Sequence, residues 1–131
     1  MNRLMILFFG IVILWSCSSN KPLVQIEDAS TKSDTTEYTI IVTEPGFESW
    51  FVTNRKPIWF YEENYYKHFN QLYTNEWNHR VRSINYDIPF YEEIDYNSAI
   101  NYGKDIEHKM YWYFQFMMNK YDFKLLVTDR L

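Results

Sequence analysis

Two short acidic–histidine pairs are the residues of this sequence best suited to metal chemistry. Glu76 and His79 are separated by two residues, and Asp105 and His108 repeat that spacing with aspartate in place of glutamate. On a helix this spacing puts both side chains on one face, and di-iron carboxylate bundles use two Glu-x-x-His motifs together with two further glutamates. A small metal-binding protein or metalloenzyme is therefore one hypothesis. The alternative is that all four are solvated surface residues that stabilise their helices.

An acidic segment between the predicted helices, residues 92–97 (EEIDYN), is a second candidate for chemistry. Its alternating oxygens could coordinate Ca²⁺, yet it lacks the glycine and the distant bidentate glutamate of a calcium-binding loop. Glu92 and Glu93 could flank a glycosidic bond, although adjacent residues of one loop rarely do so. The sequence contains no nucleophile elbow, phosphate-binding loop or dinucleotide fingerprint. We therefore predict no catalytic residue and no cofactor, and a non-catalytic protein is favoured.

The only cysteine, Cys17, follows an uncharged apolar run at residues 4–15, which Arg3 precedes. A run of this length is too short to span a membrane, which takes about 20 residues. It matches the apolar segment of a secretory signal peptide, whereas a buried apolar helix at this position would need a large core to enclose it. We therefore predict a signal peptide at residues 1–16.

The residues that end this run, Leu14-Trp15-Ser16-Cys17, resemble the lipobox of bacterial lipoproteins, with Trp15 bulkier than the usual occupant. The resemblance implies that Cys17 receives a diacylglyceryl thioether, that the chain is cut after Ser16, and that the new amino group is acylated. Each buried methylene of such chains contributes about 0.8 kcal/mol, so two or three chains anchor a protein stably. A lone thiol has no internal disulfide partner, which leaves an intermolecular bridge or a free reactive cysteine as the alternatives.

The charge balance limits the classes of partner. With 17 acidic against 13 basic side chains, the formal net charge is −4. Binding to nucleic acid or to anionic lipid head groups needs a basic face, so we predict neither. The expected partners are the membrane, through the lipid on Cys17, and an envelope protein or a glycan. Because residues 18–22 carry no acidic cluster that resembles a surface-export tag, we expect the outer membrane, facing the periplasm.

The rest of the chain divides into a flexible tether at residues 17–36, which is polar and lacks a sustained period, and one domain at residues 37–131. The domain has an α+β pattern, which the following elements define.

Residues 62–83 and 104–121 predict two main helices, because their apolar positions recur every three or four residues. Residues 37–43 and 123–128 predict strands, and we expect these N- and C-terminal strands to pair into a small sheet. Residues 47–53 predict a short helix. The connection at residues 85–103 has no clean period, and a connection of this length is often functional when it is ordered.

Aromatic residues are abundant, with 12 Tyr, 10 Phe and 5 Trp. Most must fill the core, since large rings let a short chain bury more area per residue. Six tyrosines cannot all be interior, and exposed tyrosines suit sugar or peptide surfaces. The tyrosines of this predicted binding surface are Tyr65, Tyr66, Tyr91, Tyr96, Tyr102 and Tyr111. The alternative is that these rings are mainly structural.

Four segments carry a resemblance to a known family: EPGFESWF, YEENYYKHFNQLYTNEWNHRVRS, IDYNSAINYG and YWYFQFMMNKYDFKL. Together they resemble an uncharacterised family of small lipoproteins of Gram-negative bacteria, a domain of unknown function, over roughly residues 37–126. The resemblance implies a small lipid-anchored domain and no assigned activity.

Overall fold

The structure, a computed structural model, describes residues 23–30, 36–83 and 88–126. Cys17 and the predicted signal peptide lie outside these residues. The elements in chain order are β1 (Val24–Ser30), β2 (Glu37–Val42), α1 (Phe47–Asn54), a 3₁₀ turn (Ile58–Phe60), α2 (Glu63–Arg82) and α3 (Lys104–Lys120). Three helices and a two-stranded sheet in one small domain confirm the predicted α+β class. Within the described ranges, no helix combines the length and apolar character needed to cross a membrane.

The sheet is an antiparallel pair of β1 and β2, in which Val24 lies opposite Val42 and Ile26 opposite Ile40. Val24 and Ile40 are buried, so this face of the sheet covers the core while alternate residues point to solvent. The predicted strand at residues 37–43 is confirmed as β2.

The partner of β2 differs from the prediction. It is β1, which lies inside the segment expected to be a tether, and not residues 123–128. Residues 123–126 are not a strand, and residues 127–131 lie outside the described part. The chain instead folds back against the end of α3, where Asp122 has a left-handed φ of 52° and the Leu125 N–H donates to Met118 Sδ at 3.4 Å. Leu125 is thereby buried against α3 without needing a strand partner.

The helix α3 is the centre of the domain, as its wide apolar stripe predicts. More than half of its residues are buried, and it contacts α1, α2, β2 and the 3₁₀ turn. Phe114 and Met110 are fully buried in this layer, and each such side chain contributes about 1.5–3 kcal/mol to stability.

The helices α2 and α3 run in the same direction. Tyr66, early in α2, meets His108, early in α3, at a ring-centroid distance of 5.3 Å. Further along both helices, Tyr73 meets Phe114, also at 5.3 Å. Since α2 is about 30 Å long, the chain must return over that distance before α3 can start beside the beginning of α2.

Residues 88–103, which we call the return segment, supply this connection, and within them the structure contains no helix or strand. Side chains of α2 fix it instead: the Trp77 indole N–H donates to the Glu92 carbonyl at 3.0 Å, and Phe90 packs on Trp77 at 4.8 Å. At the far end, Gly103 adopts a φ of 92°, which favours glycine, and α3 follows directly. The absence of regular structure in the described residues agrees with the lack of a clean period in the sequence.

Candidate functional site

A groove of 520 Å³ lies among α1, α2, α3 and the residues that follow α3. We call it the aromatic groove. Four of its rings are half-exposed, those of Trp50, Tyr65, Phe69 and Trp112. The full lining is Trp50, Tyr65, Phe69, Tyr73, Tyr111, Trp112, Gln115, Met118, Asn119 and Lys124.

Helical spacing brings these side chains together. Tyr65, Phe69 and Tyr73 recur every four residues on one face of α2. Tyr111 and Gln115 do the same on α3, so two parallel helices present facing rows. Tyr65 contacts Phe69 at 4.7 Å and Tyr111 at 5.9 Å between ring centroids. The rings therefore brace each other, and the groove is formed before any ligand arrives.

The helix α1 closes one end of the groove. Its Trp50 ring lies 6.2 Å from the Trp112 ring, with a tilt of 47° between the planes. Both indoles are half-exposed. Flat aromatic surfaces of this kind give a ligand a large contact area at low entropy cost.

The amide and ammonium groups of the groove lie toward the end of α3. The Gln115 Nε2–H donates to the Tyr73 hydroxyl at 3.2 Å, and Asn119 and Lys124 are exposed. Burial raises the pKa of Tyr111, and the neighbouring Tyr73 adds to the effect, so this phenol stays neutral. Aromatic walls together with these polar groups provide both kinds of contact that hold and orient a small molecule.

The six predicted tyrosines do not share one surface. Tyr65 and Tyr111 line the aromatic groove. Tyr66 is fully buried below the 3₁₀ turn, where its hydroxyl donates to the Ile58 carbonyl at 3.4 Å.

The other three tyrosines belong to the return segment. The rings of Tyr96 and Tyr102 contact each other at 5.5 Å, and Tyr102 meets Tyr38 of β2 edge-on at 4.9 Å. Tyr91 is exposed, at 57%. The sequence therefore predicted two residues of the groove, Tyr65 and Tyr111. It did not predict the two tryptophans or the polar residues of the lining, which are Trp50, Trp112, Gln115, Asn119 and Lys124.

A buried carboxyl group, Glu107, is the most unusual ionisable group that the sequence analysis missed. It has no exposed surface. Its Oε2 accepts hydrogen bonds from Asn70 Nδ2 at 2.8 Å and from the Tyr96 hydroxyl at 3.0 Å. Its Oε1 and Asn70 Oδ1 have no hydrogen-bond partner in the described part of the chain. Burial raises the pKa of Glu107, and the hydrogen bonds from Asn70 and Tyr96 offset part of that effect.

Glu107 therefore joins α2, α3 and the return segment, and it is closed to solvent, which suits a structural role better than catalysis. The sequence did carry a signal for it. Glu107 lies three residues before Met110 and seven before Phe114, on the buried stripe of α3. Asn70 likewise lies between Tyr66 and Tyr73 on the stripe of α2. A polar residue at a position where the helical period predicts an apolar one is the signal that would have revealed Glu107 and Asn70.

The two acidic–histidine pairs do not come together. His108 lies beside Tyr66, whereas Glu76 is ten residues further along α2, about 15 Å away along the axis. Glu76 Oε1 is paired with Arg80 Nε at 2.7 Å, and His79 and Asp105 are exposed. Across residues 23–30, 36–83 and 88–126 there is no cluster of three or more His, Cys, Asp or Glu placed to hold a metal ion.

His108 has a structural environment of its own. Its Nε2–H donates to the Lys56 carbonyl at 2.7 Å, and its ring lies 5.8 Å from the Phe51 ring. Burial lowers the pKa of His108 below its ordinary value of 6.5. The imidazole is therefore neutral and fixes the residues between α1 and the 3₁₀ turn against α3.

The acidic segment 92–97 borders a recess of 270 Å³ along β1, to which Glu92, Glu93 and Asp95 contribute. Glu93 Oε1 is paired with Arg82 Nε at 2.6 Å, and Ile94 is buried. The segment is thus part of the packing of the return segment on α2.

Comparison with known proteins gives one result. The model of a family described as a family of unknown function (DUF6146) matches residues 4–129. No curated protein and no solved structure matches the chain.

Proposed function

We propose that this chain, which belongs to the DUF6146 family of unknown function, is a non-catalytic binding module anchored to the cell envelope through a lipid on Cys17. The aromatic groove is its ligand site. One observation carries the proposal: half-exposed rings from three helices line a preformed groove whose volume, 520 Å³, falls in the range of small-molecule sites.

The exposed apolar surface of the groove supports a binding role. Covering the exposed parts of four rings would lower the free energy of the protein, because apolar area exposed to water costs about 25 cal/mol per Å². These are the rings of Trp50, Tyr65, Phe69 and Trp112. Aromatic side chains are enriched at binding surfaces, where each ring supplies a large contact area. The domain keeps these four rings together at one place, between helices that hold them rigidly.

The lipobox resemblance at residues 14–17 supports the anchor. Five residues separate Cys17 from Leu23, the first residue described, so six peptide steps join the two. Even fully extended, these six steps span about 20 Å. A lipid on Cys17 would therefore keep β1 close to the membrane surface, and the binding module would work at that surface.

The anchor is tested by the intact mass of the protein extracted from the membrane fraction of cells. The expected mass lacks residues 1–16 and includes two or three acyl chains, and the Cys17→Ser variant should lose both the chains and the membrane fractionation. A chain that retains residues 1–16 with an unmodified thiol would overturn the anchor.

The binding role is tested by co-sedimentation of the full chain, in detergent, with insoluble envelope material from cells that lack the protein. We expect Trp112→Ala and Asn119→Ala to reduce sedimentation. Asn119 is exposed, so its variant should fold even if the tryptophan variant does not. Trp59→Ala is the matched control, because Trp59 is 73% exposed and outside the groove. Equal sedimentation of all four proteins, or sedimentation of none, would refute the role of the groove.

A further inference from the structure

The lining of the aromatic groove has a charge opposite to that of the whole protein. The chain has 17 acidic side chains and a net charge of −4, yet the groove is lined by no aspartate or glutamate and by one cation, Lys124. A ligand that brings a negative charge therefore meets no carboxylate in the walls of the groove.

Lys124 is exposed, and its ammonium forms no ion pair among the described residues. Two other lysines differ in this respect, since Lys109 Nζ is 2.8 Å from Glu48 Oε1 and Lys120 Nζ is 2.5 Å from Glu44 Oε1. The position of Lys124 in the lining of the groove makes its ammonium the cation that a ligand there would meet.

The backbone holds Lys124 at the rim of the groove. Arg80 Nη2 donates to the Lys124 carbonyl at 2.6 Å, and the next residue, Leu125, is buried and bonded to Met118. The backbone of Lys124 is therefore held at the rim of the groove, and its long side chain can reach a ligand from there.

Two amides lie between this cation and the rings. Gln115 and Asn119 are one helical turn apart on α3 and both line the groove. Each amide offers both a donor and an acceptor, which suits hydroxyl and acetamido groups. Above them, aromatic faces carry partial negative charge and attract the C–H face of a sugar ring.

From these three features we infer that the ligand is a glycan that carries a carboxylate. Sugar rings stack on the half-exposed indoles and phenols, the amides of Gln115 and Asn119 bind ring substituents, and the Lys124 ammonium pairs with the carboxylate. The inference rests on the proposed function of the groove and adds the class of ligand to it. A phosphate is a poorer match, because a phosphate monoester carries a charge of about −1.5 to −2 at pH 7 and the groove has one lysine to neutralise it.

A matched pair of sugars tests this inference. The disaccharide of N-acetylglucosamine and N-acetylmuramic acid carries a lactyl carboxylate that di-N-acetylchitobiose lacks. We expect titrations of the full chain in detergent, followed by tryptophan fluorescence, to show about tenfold tighter binding of the carboxylated sugar. Added salt should reduce the difference. Lys124→Gln should abolish it. Lys56→Gln should retain it, since the Lys56 ammonium lies over Phe60, outside the groove.

Equal affinity for the two sugars, with or without Lys124, would overturn the carboxylate inference and leave the groove as a sugar site. Stronger binding of a short peptide with a free carboxyl terminus would overturn the glycan class. If none of these probes binds while the envelope co-sedimentation depends on Trp112, the inference fails and the proposed function stands. If neither assay depends on the groove, both fail.

Discussion

Asn78 and Ile94 exchange two hydrogen bonds: Asn78 Oδ1 accepts from the Ile94 N–H at 2.8 Å, and Asn78 Nδ2 donates to the Ile94 carbonyl at 2.9 Å. One side-chain amide thus satisfies both backbone groups of a buried residue, as a neighbouring strand would. Together with the bond from Trp77 to Glu92, it explains how the return segment is ordered without regular structure. The adjacent residues Trp77 and Asn78 of α2 thus both have a structural role, which is to hold the return segment.

Removal of the Asn78 amide should loosen the return segment. In Asn78→Ala the polar backbone of buried Ile94 loses both partners, at a cost of about 1–3 kcal/mol in the free energy of unfolding. Hydrogen exchange of residues 88–103 should accelerate more than that of α3. The control is Asn75→Ala, because Asn75 is exposed on the same helix. Unchanged exchange at the Ile94 amide would show that the two bonds do not hold the segment.

The buried carboxyl of Glu107 should make stability depend on pH. Its pKa in the folded protein is raised above the ordinary 4.5 by burial. The unfolded chain therefore loses this proton at lower pH than the folded one, so the contribution is fully present below pH 4.5 and is lost as pH rises through the folded-state pKa.

Glu107→Gln removes that titration while it retains an acceptor for Asn70 and Tyr96. Urea unfolding of the two proteins should therefore show that the variant gains stability relative to wild type as the pH rises above about 4.5. Comparing the two proteins cancels the titration of all other groups. A difference that does not change with pH would contradict the raised pKa of Glu107.

His108 should titrate in the opposite sense. Burial lowers its pKa in the folded protein, and the Lys56 carbonyl offsets part of that effect. The contribution of His108 to stability is then present above pH 6.5, the ordinary value, and is lost as pH falls through the folded-state pKa. An NMR titration of the imidazole C–H resonance should give a pKa below 6.5 in the native protein and the ordinary value in urea. A native pKa at or above the ordinary value would mean that the ring is not buried as described.

The helices could be predicted from sequence, but their arrangement could not. The recurrence of Tyr66, Tyr73 and Trp77 is a local property, and α2 follows from it. The pairing of β1 with β2 depends on contacts between distant residues, and in β1 the apolar alternation is limited to Val24 and Ile26. The sequence of this segment therefore predicts a tether and not a strand.

The candidate site depends on the same non-local information. Tyr65 and Tyr111 could be proposed as binding residues from composition, but Trp50 and Trp112 meet only because α1 packs across the side of α3. Because α2 and α3 run in the same direction, Glu76 lies far from His108. The spacing of residues within one helix cannot predict the relative direction of two helices. The metal hypothesis failed to gain geometric support for this reason.

The central claim is that a ligand occupies the aromatic groove, and the tryptophan indole N–H resonances test it directly. Trp50 and Trp112 line the groove, whereas Trp59 is exposed elsewhere and Trp77 is buried on the return segment. When soluble cell-wall glycan fragments are added to the ¹⁵N-labelled protein, we predict that the resonances of Trp50 and Trp112 shift and that those of Trp59 and Trp77 stay in place. Shifts at Trp59 without shifts at Trp50 and Trp112, or no shift at any of the four, would contradict the claim.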